Sequence, residues 1–476
     1  MMKNITFTIL MLSLALFSGC KKLLDKEPID KISIAETFQD FDGARAATAG
    51  AYASFFNTSY YNGVRMAYPD LIGGNLKYSK TGNVVLFDEY NLAATAANSG
   101  MNATYAQLYT ILNNLNYIIQ KVPAIEDGTV LTRNRLVAEA TVLRALIHFD
   151  LLQLYAQPYG YTSDASHPGI VVNLKPVFLN TEEIKRSTVK ASYDAVIADL
   201  KDAALLFANS AVVFTAGNPV NYTNQNTVNA LLARVYLSKG DWQNAYTAAN
   251  AVIETKSYTL FTNANYVGSW LLKNTTESIF EISVPANFAG NSYGSYYNIA
   301  SNNTYLQMAT TDDLFNLYTA TDVRGKKFFH SAKTVTGTVY YFCAKYPTSA
   351  ATATGVKVIR LSEMYLIRAE AAAELDNQIQ ANQDLNVIRL RGDATAERLN
   401  LTDKLALVNA ILTERRKELN MEGFLLFDLG RRKKDIVRQD CNALTCNLTY
   451  PSYLYLLPIP ETSYLSNPEM VQNPGY

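Results

Sequence analysis

Residues 227–254 read TVNALLARVYLSKGDWQNAYTAANAVIE, and this stretch decides the fold class. Its apolar side chains recur three and four residues apart, which is the spacing that places them on one face of an α-helix. The pair Gly240–Asp241 interrupts the pattern, and a second run with the same spacing follows it. The stretch therefore predicts two consecutive helices joined by a tight turn.

The small and aromatic residues of this stretch match the tetratricopeptide (TPR) pattern. The five marker positions are Ala233, Tyr236, Gly240, Trp242 and Ala245. Small residues at such positions let two helices pack closely, and the aromatic ring fills the gap between them. A second copy lies at 363–390, where an aspartate replaces the turn glycine. Its markers are Ala369, Ala372, Asp376, Gln378 and Ala381.

Two further helix pairs are predicted nearer the N-terminus. Apolar periodicity pairs residues 103–121 with 133–155, and 133–155 with 188–207. Stacked helix pairs form a solenoid, an architecture that mostly serves to bind other molecules.

The chain between these helices is predicted to be irregular. Residues 57–101, 208–226 and 285–305 are rich in Asn, Gly, Ser, Thr and Tyr. Loops of this length in a compact protein are usually functional. Short strands are predicted at 278–284 and, as a hairpin, at 336–346. The fold class is therefore mainly α, with about four TPR-like helix pairs and a loop-rich half that carries a few short strands.

The composition excludes several classes of protein. Lys+Arg and Asp+Glu both number 42, so the formal net charge is zero and overall basicity cannot drive nucleic-acid binding. Hydrophobic residues make up 49% and charged residues 18%, which excludes global disorder. The three His and four Cys lack metal-ligand spacing, and no phosphate-binding loop or nucleophile elbow is present. We therefore expect neither a metal nor a cofactor.

The first twenty residues resemble a bacterial lipoprotein signal. Lys3 precedes a thirteen-residue apolar run, Ile5 to Phe17, which is shorter than the ~20 residues of a membrane span. Ser18 and Gly19 are small, as signal-peptide cleavage requires, and Cys20 follows them. This order predicts cleavage before Cys20 and a diacylglyceryl group on its thiol. An ordinary secretory signal with an incidental cysteine is the alternative.

Lipidation of Cys20 leaves three other cysteines in an oxidising compartment. Cys441 and Cys446 are near enough in sequence to close a small disulfide loop, and two buried thiols are the alternative. Cys343 is expected to be free and buried in the core.

Five segments resemble, in order, those of the SusD/RagB family of outer-membrane nutrient-binding lipoproteins. They are CKKLLDKEP after the signal, RALIHFDLLQLYAQPYG at 144–160, NALLARVYLSKGDWQNA at 229–245, VIRLSEMYLIRAEAAAEL at 358–375 and ERRKELNMEGFLLFDLGR at 414–431. The ending LLPIPETSYLSNPEMVQNPGY at 456–476 is the most specific part of the resemblance. The segment EGFLLFDLGRRKKD at 422–435 departs from the family pattern, which more usually has a run of basic and aromatic residues after the glycine.

The resemblance implies a signal peptide at 1–19 and one SusD-like nutrient-binding domain at 20–476. An N-terminal portion at 20–220 and a C-terminal RagB/SusD portion at 270–476 would make up this domain. Family members lie at the cell surface, anchored by lipid in the outer membrane, and cap a SusC-like TonB-dependent transporter. Many bind oligosaccharides, and the RagB branch handles peptides.

The densest charged cluster is expected to be structural and not catalytic. Glu414, Glu418 and Glu422 follow one another at intervals of four, so they share a helix face. A pair of carboxylates would suggest a glycosidase, but Arg415 and Arg416 are expected to neutralise the row. Two other features are also given structural interpretations: Asp428 with the basic residues 431–434 as a solvated helix end, and His148 as a hydrogen-bonded packing residue.

Ligand binding is assigned to two loops that combine aromatic rings with hydroxyl-binding groups. A sugar presents C–H faces to aromatic rings and hydroxyls to amides and carboxylates. The predicted ligand-binding residues are Asp70, Asn75 and Tyr78 in the loop 68–90 and Tyr293, Tyr296 and Tyr297 in the loop 287–305. The tyrosines of the second loop are expected to form an exposed stacking surface.

Three functions remain open on the sequence. The first is a lipoprotein that binds oligosaccharide and delivers it to a transporter, and the second is a RagB-like peptide-binding lid. The third is a cell-envelope glycoside hydrolase, which the lack of an isolated acid pair disfavours.

Overall fold

The computed structural model describes residues 33–79, 84–177, 184–290, 293–298, 307–325, 328–335, 337–348 and 352–476. The predicted signal sequence and Cys20 lie outside these ranges. Of the described residues, none belongs to a helix that is both long and apolar enough to cross a membrane.

Helices make up most of the regular structure. The longer ones are α1 Phe41–Ser54, α2 Val64–Gly73, α3 Asn102–Lys121, α4 Val130–Tyr155, α5 Val189–Ala208, α6 Gln225–Lys239, α7 Trp242–Glu254, α8 Leu361–Glu374, α9 Gln378–Gly392, α10 Lys404–Glu418 and α11 Leu425–Arg431. Shorter helices are Ile34–Thr37, Phe87–Tyr90, Tyr266–Ser269, Asp312–Asn316 and Glu461–Leu465.

The helices from α3 onward stack in chain order. Each of the successive pairs α3–α4, α4–α5, α5–α6 and α6–α7 is in contact, α7 packs on α8, and α8 packs on both α9 and α10. The predicted pairs at 103–121 with 133–155, at 133–155 with 188–207, at 227–254 and at 363–390 are therefore confirmed. The fold is mainly α, as predicted.

Both TPR-like turns use the left-handed backbone conformation. Gly240 ends α6 with φ of 76°, and its N–H donates to the carbonyls of Leu237 and Tyr236. Asp376 stands at the same offset within the repeat, two residues after the end of α8, and also has a positive φ of 59°. The second repeat thus keeps the turn geometry without glycine, because aspartate tolerates this region better than most residues do.

In the described part of the chain, the strands form three antiparallel sheets. The strands are β1 Leu76–Tyr78, β2 Ser278–Ile282, β3 Met308–Thr310, β4 Phe329–Val335, β5 Thr338–Cys343, β6 Val356–Arg360, β7 Ile436–Val437 and β8 Asn447–Leu448. The largest sheet has the order β1–β3–β5–β4, and β2–β6 and β7–β8 are two-stranded. The strand at 278–284 and the hairpin at 336–346 are confirmed in type, although the hairpin begins earlier, with β4.

The predicted loop 57–101 contains a buried helix, which corrects the sequence analysis. Every residue of α2 except Val64 is buried, and Pro69 lies inside the helix. A helix that is buried on all sides has no polar face, so the apolar periodicity on which the sequence analysis relied is missing.

We predict that Ala245→Leu destabilises the fold by roughly 1–3 kcal/mol, because added methylene groups overpack a well-filled contact. Ala245 is fully buried on α7, which is packed between α6 and α8. Urea unfolding of the variant measures the loss.

The exposed Ala251 on the same helix provides the matched control. Ala251→Leu adds the same side chain and is expected to leave the free energy of unfolding within about 0.5 kcal/mol of the wild type. Equal effects of the two substitutions would contradict the close contact at Ala245.

Candidate ligand-binding site

The carboxylate row of α10 is buried and neutralised by arginines from distant segments. Arg360 donates from Nη1 to Glu277 Oε1 at 2.7 Å and to Glu418 Oε1 at 2.6 Å, and from Nε to Glu422 Oε2 at 2.8 Å. Arg324 reaches Glu418 Oε2 at 2.9 Å on the other side. Glu418 therefore has no open side at which a substrate could approach.

The prediction that Arg415 and Arg416 neutralise this row is wrong. Arg415 pairs with Asp428 at 2.8 Å, and Arg416 pairs with Asp313 at 2.7 Å, so neither residue neutralises Glu418. Sequence proximity suggested the two arginines, but adjacent helical residues point in different directions. The structural interpretation of the row holds, with other cations in the neutralising role.

Charge balance explains how this network tolerates burial. The cations Arg324, Lys345, Arg360, Arg391 and Lys417 face the anions Glu277, Asp322, Glu414, Glu418 and Glu422. Burial alone would raise the pKa of Glu418, but the guanidinium groups of Arg391, Arg360 and Arg324 hold it well below its ordinary value. A carboxylate held ionised in this way is a poor proton donor, so Glu418 is unsuited to the role of general acid in a glycosidase.

The basic end of α11 is also less solvated than expected. Arg431 is almost fully buried and donates to both carboxylate oxygens of Glu370, at 2.5 and 2.8 Å. Asp428 accepts from Arg431 and from Arg415, each at 2.8 Å. Asp428 and Arg431 therefore fasten α11 to α10 and α8 through ion pairs, whereas Lys433 and Lys434 are exposed, so only the end of the segment is solvated as expected.

His148 is a buried packing residue, as expected. Its Nε2 accepts a hydrogen bond from the N–H of Asn173 at 3.2 Å. Burial, assisted by the nearby Arg144, lowers its pKa to about 3. The imidazole is therefore neutral at physiological pH.

The two predicted ligand loops are neighbours, because α2, which contains residues 68–73, packs against the turn Tyr293–Tyr296 of the second loop. Two further contacts adjoin these loops. Leu76 and Tyr78 of β1 pair with Thr310 and Met308 of β3. The N–H of Tyr293 donates to Asn62 Oδ1 at 3.1 Å, which joins the turn 293–298 to the segment before α2.

Most of the predicted ligand-binding side chains in these loops point inward. Asp70 accepts hydrogen bonds from Asn75 Nδ2 at 2.6 Å and from the N–H groups of Met421 and Gly423 at 3.0 and 2.8 Å. Asn75 in turn accepts from Arg416 at 2.8 Å, and the hydroxyl of Tyr78 donates to the carbonyl of Val85. The side chains of Asp70, Asn75 and Tyr78 thus pin loops together in the interior.

The expected exposure of the second-loop tyrosines is wrong for two of the three. Tyr293 and Tyr297 are buried, and both rings lie against Tyr346. Tyr296 is half-buried, with its ring centroid 6.2 Å from that of Tyr297. Of the predicted set, only Tyr296 presents part of its ring at the surface.

Three further rings, missed by the sequence analysis, lie on or beside the four-stranded sheet: Tyr340 and Tyr341 on β5, and Phe315 on the short helix Asp312–Asn316. Tyr340 and Tyr341 are consecutive in β5, so their side chains lie on opposite faces of the strand. These three half-buried residues, with the half-buried Tyr296 of the adjoining turn, define what we call the aromatic sheet surface. Phe315 and Tyr341 stack at 3.8 Å, and the main-chain N–H of Cys343 donates to the carbonyl of Tyr297 at 3.0 Å. That bond fastens the turn 293–298 to the end of β5, three residues beyond Tyr340.

Polar groups border the aromatic sheet surface. Lys77 Nζ lies 5.6 Å from the centroid of the Tyr340 ring and pairs with Asp440 and with Asp312. Asp440 Oδ2 also accepts from the N–H of Asp312 at 2.8 Å. Rings next to charged groups of both signs suit a ligand with apolar faces and hydroxyls. The alternating residues of the predicted hairpin were the available sequence signal for these rings.

The disulfide left open by the sequence is formed between Cys441 and Cys446, and Cys343 is free and buried as expected. Within the closed loop, Asn442 donates to the carbonyl of Tyr78 at 2.9 Å, and Leu444 N–H donates to Asn91 at 3.0 Å. These two bonds hold the disulfide loop against Tyr78 and Asn91.

Comparison with known proteins identifies the family. The sequence profile described as the SusD family matches residues 222–476, more than half of the chain. The chain belongs to the SusD family. A second profile, described as starch-binding and associating with the outer membrane, matches residues 46–237.

Full-length relatives and solved SusD structures agree with this membership. SusD-like protein P2 of Formosa agariphila is 26% identical, with 99% of each chain covered. A SusD superfamily protein from Bacteroides vulgatus is 28% identical with a TM-score of 0.81, covering 92% of this chain and 99% of its own. A protein of the same organism described as a putative sugar binding protein is 26% identical, with the same coverage and TM-score.

We predict that Asp70→Asn flattens the pH dependence of stability between about pH 4 and 6. Burial raises the pKa of Asp70 from 3.8 to about 6. The hydrogen bonds from Asn75, Met421 and Gly423 lower this pKa, but their effect is smaller than that of burial. Because the folded state holds this proton more tightly, the free energy of unfolding of the wild type falls as the pH rises through this window. Across this window the free energy of unfolding of the wild type falls by roughly 3 kcal/mol because of Asp70, since each unit of raised pKa is worth about 1.4 kcal/mol.

Urea unfolding of wild type and variant at pH 4, 5, 6 and 7 gives the comparison. Other buried carboxylates contribute equally to both proteins, so the difference between the two curves isolates Asp70. Parallel curves for the two proteins would show that Asp70 does not titrate in this range.

Proposed function

We propose that this SusD-family protein is a cell-surface lipoprotein that binds oligosaccharide and delivers it to a TonB-dependent outer-membrane transporter. In this proposal Cys20 carries the lipid anchor, and the protein acts by binding and not by catalysis. The membership in a family described as starch-binding and associated with the outer membrane is the observation that carries the proposal.

The aromatic sheet surface is the proposed ligand site. Tyr296 and Tyr340 offer partly exposed rings, and Asp312, which is half exposed, offers a carboxylate beside Lys77. The buried Tyr297 contacts Tyr296, and Tyr293 contacts Tyr297, so these two members of the predicted set are proposed to act on the ligand indirectly. Asp70, Asn75 and Tyr78 are proposed to hold the segments that carry this surface.

The neutralised carboxylate row supports binding over hydrolysis. A glycosidase needs one carboxyl group that holds a proton near neutral pH and a second that is ionised. Glu418 and Glu422 both lie among cations that lower their pKa, although burial opposes this. The described residues therefore place no acid and base pair at this row.

We predict that Tyr296→Ala and Tyr340→Ala each weaken oligosaccharide binding about tenfold. Loss of one stacking ring removes on the order of 1–2 kcal/mol of binding free energy. Calorimetry with a panel of oligosaccharides and a parallel panel of peptides measures the dissociation constants.

Tyr161→Ala supplies the matched control, because Tyr161 is an exposed tyrosine in the loop after α4. The affinity of the Tyr161→Ala variant for oligosaccharide is expected to equal that of the wild type. Unchanged affinity in both sheet variants would remove the aromatic sheet surface from the site. Binding of peptides and of no glycan would replace the proposed ligand with a peptide, as in the RagB branch.

We also predict that the protein co-purifies with a TonB-dependent transporter from native outer membranes in mild detergent. A lipid-tethered binding protein has no channel of its own, so delivery requires a stable or recurrent partner. Mass spectrometry of the purified complex identifies that partner. Recovery of the protein alone, with the transporter present in the same extract, would contradict delivery by direct contact.

A further inference from the structure

Two carboxylates compete for one lysine at the border of the aromatic sheet surface. Lys77 Nζ is ion-paired with Asp440 Oδ2 and lies farther from Asp312 Oδ1, at 3.4 Å. The Lys77 side chain is only 8% exposed, so it has little freedom to turn away into solvent. Asp440 is therefore the main partner of the ammonium group, and Asp312 is the weaker one.

Asp312 has the more accessible of the two carboxylates. Its side chain is 51% exposed, against 22% for that of Asp440. Of the described residues, only Lys77 bonds to the Asp312 carboxylate, and the adjacent Asp313 pairs with Arg416 at 2.7 Å. Asp312 can therefore accept hydroxyl groups of a ligand, provided that Lys77 does not occupy it.

The carboxylate of Asp440 is turned toward the protein and not toward a ligand. Its Oδ2 accepts from Lys77 Nζ and from the N–H of Asp312, the latter at 2.8 Å. Its Oδ1 is buried and has no hydrogen-bond partner among the described residues. Both contacts of Asp440 thus lead to residues of the proposed ligand site, including the first residue of the short helix that carries Phe315.

The disulfide loop fixes the position of Asp440. Two residues before it, the buried Arg438 donates to the carbonyl of Cys446 at 3.0 Å. Two residues after it, Asn442 donates to the carbonyl of Tyr78 at 2.9 Å. The disulfide closes the chain between these two contacts. Asp440 is therefore anchored on both sides, which keeps its carboxylate at a fixed place beside β1.

Lys77 stays charged in this environment. Burial alone would lower the pKa of Lys77, but the hydrogen bond and charge of Asp440 and the charge of Asp312 raise it above its ordinary value. A largely buried ammonium group needs a carboxylate partner. If Asp440 were neutral, Asp312 would be the remaining carboxylate beside Lys77 in the described part of the chain.

We propose that Asp440, fixed by the disulfide loop, is a positioning residue that draws Lys77 away from Asp312 and so keeps the Asp312 carboxylate open to ligand hydroxyl groups. This proposal rests on the proposed function, in which the aromatic sheet surface binds oligosaccharide. It assigns the direct contact to Asp312 and an indirect role to Asp440.

A double-mutant cycle on the full chain tests this coupling by calorimetry, with the tightest-binding member of an oligosaccharide panel that begins with maltoheptaose. Asp440→Asn removes the charge but keeps an oxygen that can accept from the N–H of Asp312. We expect Asp440→Asn and Asp312→Asn each to weaken binding about tenfold. The double variant should bind no more weakly than Asp312→Asn alone, because Asp440 acts only through Asp312.

Asp202→Asn is the matched control, since Asp202 is exposed on α5 and its replacement removes the same charge elsewhere. Its affinity is expected to equal that of the wild type. Urea unfolding of each variant establishes that it is folded. Additive losses in the double variant, or full affinity in Asp440→Asn, would overturn the proposal.

Crystal structures of the wild type and of Asp440→Asn without ligand give a measurement that does not depend on any glycan. We expect Lys77 Nζ of the variant to lie within about 3 Å of an Asp312 oxygen, the ordinary length of a charged hydrogen bond. An unmoved Lys77 would overturn the positioning role. If no glycan binds to the wild type, the proposed function fails, while the position of Lys77 in the two structures still decides whether Asp440 directs it.

Discussion

The buried ion-pair network around Arg360 and Glu418 is the interaction on which the rest of the structure depends. Arg360 ends β6 and Glu418 ends α10, while Glu277 comes from the residue before β2 and Arg324 from the loop after β3. Each of these charges would cost several kcal/mol to bury alone. The strands, the loops and the helix stack therefore depend on one another for their packing. If any one of these segments were displaced, a buried charge would be left unpaired.

Tyrosine has a comparable internal role in this protein, which has 32 Tyr and only 2 Trp. Buried hydroxyls donate to carboxylates: Tyr60 and Tyr61 to Asp150 at 2.6 and 2.9 Å, and Tyr52 to Glu139 at 2.8 Å. A tyrosine fills core volume and also supplies a donor to a buried acceptor. The abundance of tyrosine therefore reflects the interior at least as much as any ligand surface, and a tyrosine-rich loop is not by itself a stacking platform.

The sequence by itself determined the helix pairs, the strand types and the family, because apolar periodicity and the TPR markers are local patterns that few alternative folds satisfy. It also singled out the two loops that are predicted to bind ligand, and the structure brings them into contact through α2 and the turn 293–298. Only the tertiary structure decided which side chains face outward: Asp70 and Tyr297 are interior, whereas Tyr340 is partly exposed. The tertiary structure also decided the ion-pair partners, because Glu418 pairs with the distant Arg360 and not with Arg415, which is three residues away in the sequence. Burial and ion pairing depend on residues that are far apart in the chain, and no local pattern records which of them will meet.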